Sequence, residues 1–322
     1  MLNFLRRRFD ELVTGGFLLL VLVLVLLRPV DFATPGGRSF AQWVLGTTGV
    51  LITLLLVVAR FSRLARSLLS IVHEIGPVLV GVVGYVSLKL LHASAITDWL
   101  CISSKDQWMM AIDVALFGKT PYLWLTQWGL DSRVFIQVMA FFYGLYPFTP
   151  VIVLAWFMYK GDMEQLRLIR RAVLISLYCG YCVYILFPVT GPLALTTPAT
   201  PLFVESTFTY RFLVDNYRFA GDCFPSLHTA NPWLMVWLCR GKLPRWLMAV
   251  AIIVCMGITL STIALRVHFG IDDLAGLLWI FPISLLARAS LPRVTTPDSF
   301  ASCPDKTCYS PNQGAESAFL AQ

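Results

Sequence analysis

The chain has 322 residues, of which 57% are hydrophobic and only 13% charged, and its mean hydropathy is positive. Soluble domains carry charge on about a quarter of their residues, so this composition excludes an ordinary soluble protein and makes the bilayer the solvent. The net charge of +7 does not imply nucleic acid as a partner, because the basic residues cluster at the ends of apolar runs, where they report topology.

A bilayer core takes about 20 apolar residues per helix, and eight stretches qualify, near 13–30, 43–60, 68–91, 133–158, 171–190, 226–240, 246–265 and 273–290. The first follows Arg6-Arg7-Arg8 but is followed by Arg28-Pro29 and no small-residue cleavage site, so it reads as a retained anchor. With the N-terminus in the cytoplasm, sixteen of the twenty-five Lys and Arg residues fall on the inside. That bias supports both termini in the cytoplasm. Between the third and fourth spans, Trp99, Trp108, Trp124 and Trp128 favour the outer headgroup layer, with a short surface helix from Met109 to Phe117.

The expectation is therefore an all-α integral membrane protein of about eight transmembrane helices: a six-helix catalytic core bundle with two extra N-terminal helices. Residues 1–66 form the N-terminal two-helix region, 67–290 the catalytic membrane domain, and 291–322, rich in Pro, Ser, Asp and Gln, a mobile cytoplasmic tail. Compact loops and small size fit a bacterial inner membrane. The eight cysteines, Cys303 and Cys308 of the tail included, have no partners at zinc-site spacing and read mostly as small apolar residues. No metal and no cofactor is expected.

Two of the four histidines stand in polar, Pro/Gly-punctuated settings at the mouths of spans. His228 lies in Gly-Asp-Cys-Phe-Pro-Ser-Leu-His-Thr-Ala, residues 221–230, and His268 in Arg-Val-His-Phe-Gly-Ile-Asp-Asp-Leu-Ala-Gly, residues 266–276. One helix down, a short turn and one helix back bring both to the same outer face. Four residues separate His268 from Asp272, so on a helix they share a face, and the carboxylate would fix the imidazole tautomer. Arg266 offers a planar fork to phosphate oxygens, and Ser226, after Pro225, opens a span whose unpaired N–H groups favour an anion. Nucleophile, orienter, phosphate clamp and proton donor are the parts of metal-free phosphoryl transfer.

Each motif alone has a plainer reading, since a histidine near a helix end is usually a satisfied polar residue and Arg266 or Asp272 can form a structural ion pair. Two matched motifs on one face favour function. His73-Glu74 reads as a structural polar pair, and His92 as an interfacial residue. Asp113 is either a holder of a substrate hydroxyl or arginine or a solvated carboxylate; Asp273, about 100° around a helix from Asp272, is an accessory residue.

Phe224-Pro225-Ser226-Leu227-His228-Thr229-Ala230 and Ser261-Thr262 followed by His268-Phe269-Gly270-Ile271-Asp272 resemble the type-2 phosphatidic acid phosphatase superfamily, and within it the inositol phosphorylceramide synthase-like branch. Weaker echoes are Ile112 to Gly118, Tyr143 to Tyr146 and Phe187 to Pro192. The resemblance implies that His268 is the nucleophile forming a phosphohistidine, Asp272 its orienter, and His228 the general acid, then base. Two departures affect the phosphate clamp: Phe187 to Pro192 holds no basic residue, and Ser261-Thr262 replaces the family's Ser-Arg. Arg266, Arg218, Arg211 and Lys89 are the candidates in that order. Leu227 in place of glycine fits the synthase-like branch and points to transfer to an alcohol rather than water.

The expected function is an extracytoplasmic membrane lipid phosphotransferase or lipid phosphate phosphatase. It takes a phosphoryl or inositol-phosphate-type headgroup from a lipid-linked phosphate to an alcohol or water, with membrane lipids as surroundings. The alternative is a non-catalytic lipid-binding or transport protein on the same scaffold. Against a transporter, the sequence shows neither internal repeats nor broken spans with midplane charges.

Overall fold

A computed structural model describes residues 101–130, 132–195 and 221–291, with parts of 9–19 and 71–85. They belong to one compact unit, Met1–Leu291. The described residues are mostly helical and contain no strand; an isolated parallel bridge joins Val189 to Asp222.

The longer helices that position the site are, in chain order, α1 (Asp106–Phe117), α2 (Pro121–Gln127), α3 (Arg133–Leu145), α4 (Thr149–Lys160), α5 (Met163–Leu186), α6 (Leu227–Leu238), α7 (Arg245–Ala264) and α8 (Gly270–Ser290). Their ends follow local chemistry. The Ser132 and Asp162 side chains accept the N–H groups of Phe135 and Gln165 to start α3 and α5, the usual satisfaction of orphan donors. Gly118 and Gly161 stop α1 and α4 in left-handed conformations that cost glycine nothing.

Four helical segments among the described residues are long and apolar enough to cross a membrane: Arg133–Lys160, Met163–Leu186, Arg245–Ala264 and Gly270–Ser290. The first joins α3 to α4 through a 3₁₀ turn, Tyr146–Phe148, where Pro147 and Pro150 each lack the N–H that a continuous helix needs. The stretch read as a span over 226–240 is α6, of 12 residues. At 1.5 Å per residue it is about 18 Å long, short of the roughly 30 Å hydrocarbon core. It ends because Cys239 turns the chain into Arg240 and Gly241, the latter at φ 72°. The spans expected near 13–30, 43–60 and 68–91 lie wholly or largely outside the described residues.

α5 is the central helix, buried along most of its length against α4, α6 and α8. Its start carries a buried ionic cluster. Arg170 donates Nε to Asp10 at 2.9 Å and pairs with Glu74, while Arg171 pairs with Asp10 at 3.0 Å and donates to the Ser290 carbonyl at 2.6 Å. Glu74 thus pairs with Arg170, whereas neighbouring His73 is exposed. At the far end of α5, Tyr184 donates to the Pro225 carbonyl at 3.3 Å. That end meets both histidine motifs.

Candidate active site

His228 lies in the first turn of α6, and Ser226 is the residue that starts this helix. The Ser226 hydroxyl accepts the Thr229 N–H at 3.3 Å, and its own N–H donates to the Asp272 carbonyl at 3.1 Å. α6 is thereby pinned to α8, and the contact is close enough to require Gly276. A Cβ there would meet the Ser226 carbonyl oxygen at 2.6 Å.

His268 precedes α8, whose first residue is Gly270, so it does not share a helical face with Asp272 in the manner the four-residue spacing suggests. Its Nδ1 lies 2.9 Å from the Cys223 carbonyl oxygen and 3.6 Å from Asp272 Oδ2. Only the first is a hydrogen-bond distance. Because a carbonyl can only accept, Nδ1 carries the proton of that bond, and in the neutral ring Nε2 is the nitrogen with the lone pair. That Nε2 faces His228 Nδ1 at 3.4 Å. Asp272 is fully buried and accepts the Phe269 N–H at 2.8 Å; it caps α8 beside the imidazole.

The His228 ring is half-buried between two tyrosines, stacked on Tyr143 with centroids 4.6 Å apart and tilted against Tyr146 at 4.2 Å. Asn231, one turn along α6, donates to the Tyr146 hydroxyl at 3.0 Å. Asp273, within electrostatic range of His268, ties three helices together. Its two oxygens accept the hydroxyls of Thr229 on α6 at 2.6 Å and Thr262 on α7 at 2.8 Å.

Asp113 is neither solvated nor aimed at an arginine. Fully buried, it accepts the N–H groups of Gly270 at 3.0 Å and Ile271 at 2.9 Å, the orphan donors at the start of α8. Burial raises its carboxyl above the ordinary carboxylate range, against the pull of those two donors. Arg266 adopts a left-handed backbone, φ 55°, and lays its guanidinium over the Tyr122 ring, 4.8 Å from the centroid. Arg218, Arg211 and Lys89, like His92, Cys303 and Cys308, lie outside the described residues.

Cys223, His268 and Asp272 form a cluster of metal-ligand type, with donor atoms within 4.8 Å of one another. Two of the three are already engaged through these atoms: the Cys223 thiol donates to the Val267 carbonyl at 3.1 Å and His268 Nδ1 to the Cys223 carbonyl. A cation would have to displace both bonds and both protons.

The sequence reading missed the Cys223 carbonyl, the Thr229–Asp273–Thr262 clasp and the tyrosine stack. Backbone acceptors leave no mark in a sequence, but Tyr143 and Tyr146, one helical turn apart, mark a face. Residues 107–286, more than half of the chain, match the family model of the PAP2 superfamily. No curated protein and no solved structure matches the chain. Both histidine motifs fall inside the matched region, and the chain belongs to the PAP2 superfamily.

Proposed function

We propose that the protein transfers a phosphoryl or phosphorylated headgroup from a lipid-linked phosphate through a phosphohistidine on His268. Membership of a superfamily of phosphatases and phosphotransferases supports the reaction class. The observation that carries the assignment is the polarity of the pair: Nδ1 of His268 is committed to the Cys223 carbonyl, and its Nε2 points at His228 across 3.4 Å.

The Nε2 lone pair attacks phosphorus, the P–O bond to the leaving group breaks, and His228 delivers a proton to the departing alkoxide. In the second half His228 takes a proton from the acceptor hydroxyl, whose oxygen attacks the phosphohistidine and frees Nε2. Near-attack and hydrogen-bond distances of about 3 Å each place the two nitrogens roughly 6 Å apart with substrate between them, so the 3.4 Å contact opens by about 3 Å. His268 is buried and held, so His228, half-buried between its tyrosines, is the ring that moves.

Arg266 and the start of α6 at Ser226 supply the phosphate clamp, with Arg218, Arg211 and Lys89 as further donors. The site lies at the extracytoplasmic end of the bundle, with residues 67–290 as the catalytic domain. The acceptor is an alcohol, and Leu227 in the Pro-Ser-Leu-His motif supports the inositol phosphorylceramide synthase-like branch with an inositol-phosphate-type headgroup. Purified protein given a panel of lipid phosphates, with and without candidate lipid alcohols, tests this. Headgroup-transfer product forming faster than free phosphate is the expected result; phosphate alone at every acceptor concentration would make the enzyme a hydrolase.

A further inference from the structure

α1 is built inside out. Its buried stripe is Asp106, Met109 and Asp113, while Trp108, Met110, Ile112, Val114 and Leu116 are exposed. A surface helix in water shows the reverse arrangement. Asp106 and Asp113 are seven residues apart, two turns along one face, and each grips a pair of backbone N–H groups. Asp106 Oδ1 accepts from Thr190 at 2.9 Å and Gly191 at 2.8 Å. Asp113 accepts from Gly270 and Ile271, the second and third residues after His268.

Both grips lead to the histidine. The loop held by Asp106 receives the Cys223 N–H at the Val189 carbonyl, 2.9 Å, and the Cys223 carbonyl holds His268 Nδ1. Within the same loop Gly191, at φ 94°, lies so close to the Val267 carbonyl that a Cβ would come within 2.1 Å. Between the two carboxylates, Met109 packs with Val189, Cys223 and Phe269. The partner of the outer face is indicated by its ends. Lys105 and Lys119 flank α1 with their ammonium groups over Trp108 and Trp124, the aromatic and cationic pairing of a headgroup layer. α8, which packs against α1, is apolar and exposed as well at Leu274, Leu278 and Phe281, as is α7 at Val250, Ile253 and Met256.

We infer that α1 is a membrane-seated clamp: its apolar face lies in the headgroup layer of the bilayer, and Asp106 and Asp113 are positioning residues that hold the Cys223 carbonyl and His268 in register for attack. The positioning half rests on the phosphohistidine reading above.

Two measurements on the full chain test it. In phosphatidylcholine vesicles carrying a lipid with a diazirine near the glycerol end of its acyl chain, irradiation should label Trp108, Ile112 or Leu116 and spare Asp106 and Asp113. A peptide spanning α1 that carries no lipid label overturns the membrane seat. For the carboxylates, rapid-quench phosphoenzyme formation from an aryl phosphate is measured with active sites counted by burst amplitude. Asp113→Asn and Asp106→Asn should each lower the rate per active site by about ten- to a hundredfold with KM within about twofold, and Asp113→Glu should recover part of the loss. A purely structural role would reduce the number of active sites and leave the rate per site at the wild-type value, and that result refutes the positioning role. Absence of phosphohistidine from the wild-type enzyme would instead overturn the reaction proposed for the site, leaving the labelling result to decide where α1 sits.

Discussion

Gly276→Ala places a methyl group 2.6 Å from the Ser226 carbonyl oxygen and 3.3 Å from the Ala230 nitrogen. Comfortable nonbonded contact begins near 3.5 Å, so α6 and α8 must part by roughly 0.9 Å, and both obstructing atoms are backbone. The parting stretches the bond from the Ser226 N–H to the Asp272 carbonyl, now 3.1 Å, and shifts the start of α6, which bears Ser226 and His228, out of register with the start of α8. Overpacking of this kind costs about 1–3 kcal/mol of stability, and a displacement approaching 1 Å at a reacting pair costs on the order of a hundredfold in rate. Gly180→Ala is the matched control, because the three atoms nearest its methyl, at 2.7, 2.9 and 3.1 Å, all belong to the Leu227 side chain rather than to backbone; its cost should be about 1 kcal/mol with little change in kcat. Thermal denaturation in detergent and initial rates on an aryl phosphate, corrected for folded protein, separate the two variants. Wild-type kcat in Gly276→Ala, or equal damage in Gly180→Ala, would refute the reasoning.

The two histidines should separate by leaving group. His268→Ala should abolish turnover of every substrate, whereas His228→Ala should slow lipid substrate by about 10²–10⁴-fold yet accumulate an acid-labile phosphoenzyme from an aryl phosphate; phosphate found on His228 would reverse the roles. Activity should survive excess EDTA, since histidine, carboxylate and backbone supply every step proposed, and a loss restored by zinc would point instead to a metal-bound water at Cys223, His268 and Asp272. Thr262→Val removes one of the hydroxyl donors to buried Asp273 and should cost about 1–3 kcal/mol in thermal unfolding, with Thr262→Ser close to wild type; equal stability of the two variants would mean that the clasp contributes nothing.

What the sequence revealed was whatever depends on side-chain type at fixed spacing. Apolar length announced a helical membrane protein, and the spans around 133–158, 171–190, 246–265 and 273–290 correspond to the four long apolar helices of the structure. Over 226–240 the helix has 12 residues, shorter than the apolar stretch suggested, because hydropathy does not register that Gly241 turns the chain. The histidine motifs were legible as a pair since one helix down and one back leaves little freedom in where they meet. Their wiring was not. Helical spacing suggested that Asp272 bonds His268, but the helix begins two residues after the histidine, and the acceptor on Nδ1 is a carbonyl 45 residues upstream. Asp113 could not be read because an acid among apolar residues looks solvated until its partners, backbone N–H groups 157 and 158 residues away, are known.

The division of labour around His268 follows from the charge its ring must carry. In the proposed mechanism the attacking imidazole is neutral, and a neutral N–H is well served by a carbonyl, which fixes the tautomer. As Nε2 bonds to phosphorus, the proposed mechanism puts a positive charge on the ring, and Asp272 Oδ2, 3.6 Å from Nδ1, then acts through space. At an effective dielectric constant of about 20, unit charges at that distance attract by roughly 4–5 kcal/mol before desolvation is counted. A direct hydrogen bond to the carboxylate would spend part of that attraction on the resting enzyme. Held just beyond bonding distance by its own bond to the Phe269 N–H, 2.8 Å, an ionised carboxylate would in the proposed mechanism gain most of its interaction as the ring becomes positive, the differential stabilisation on which catalysis depends.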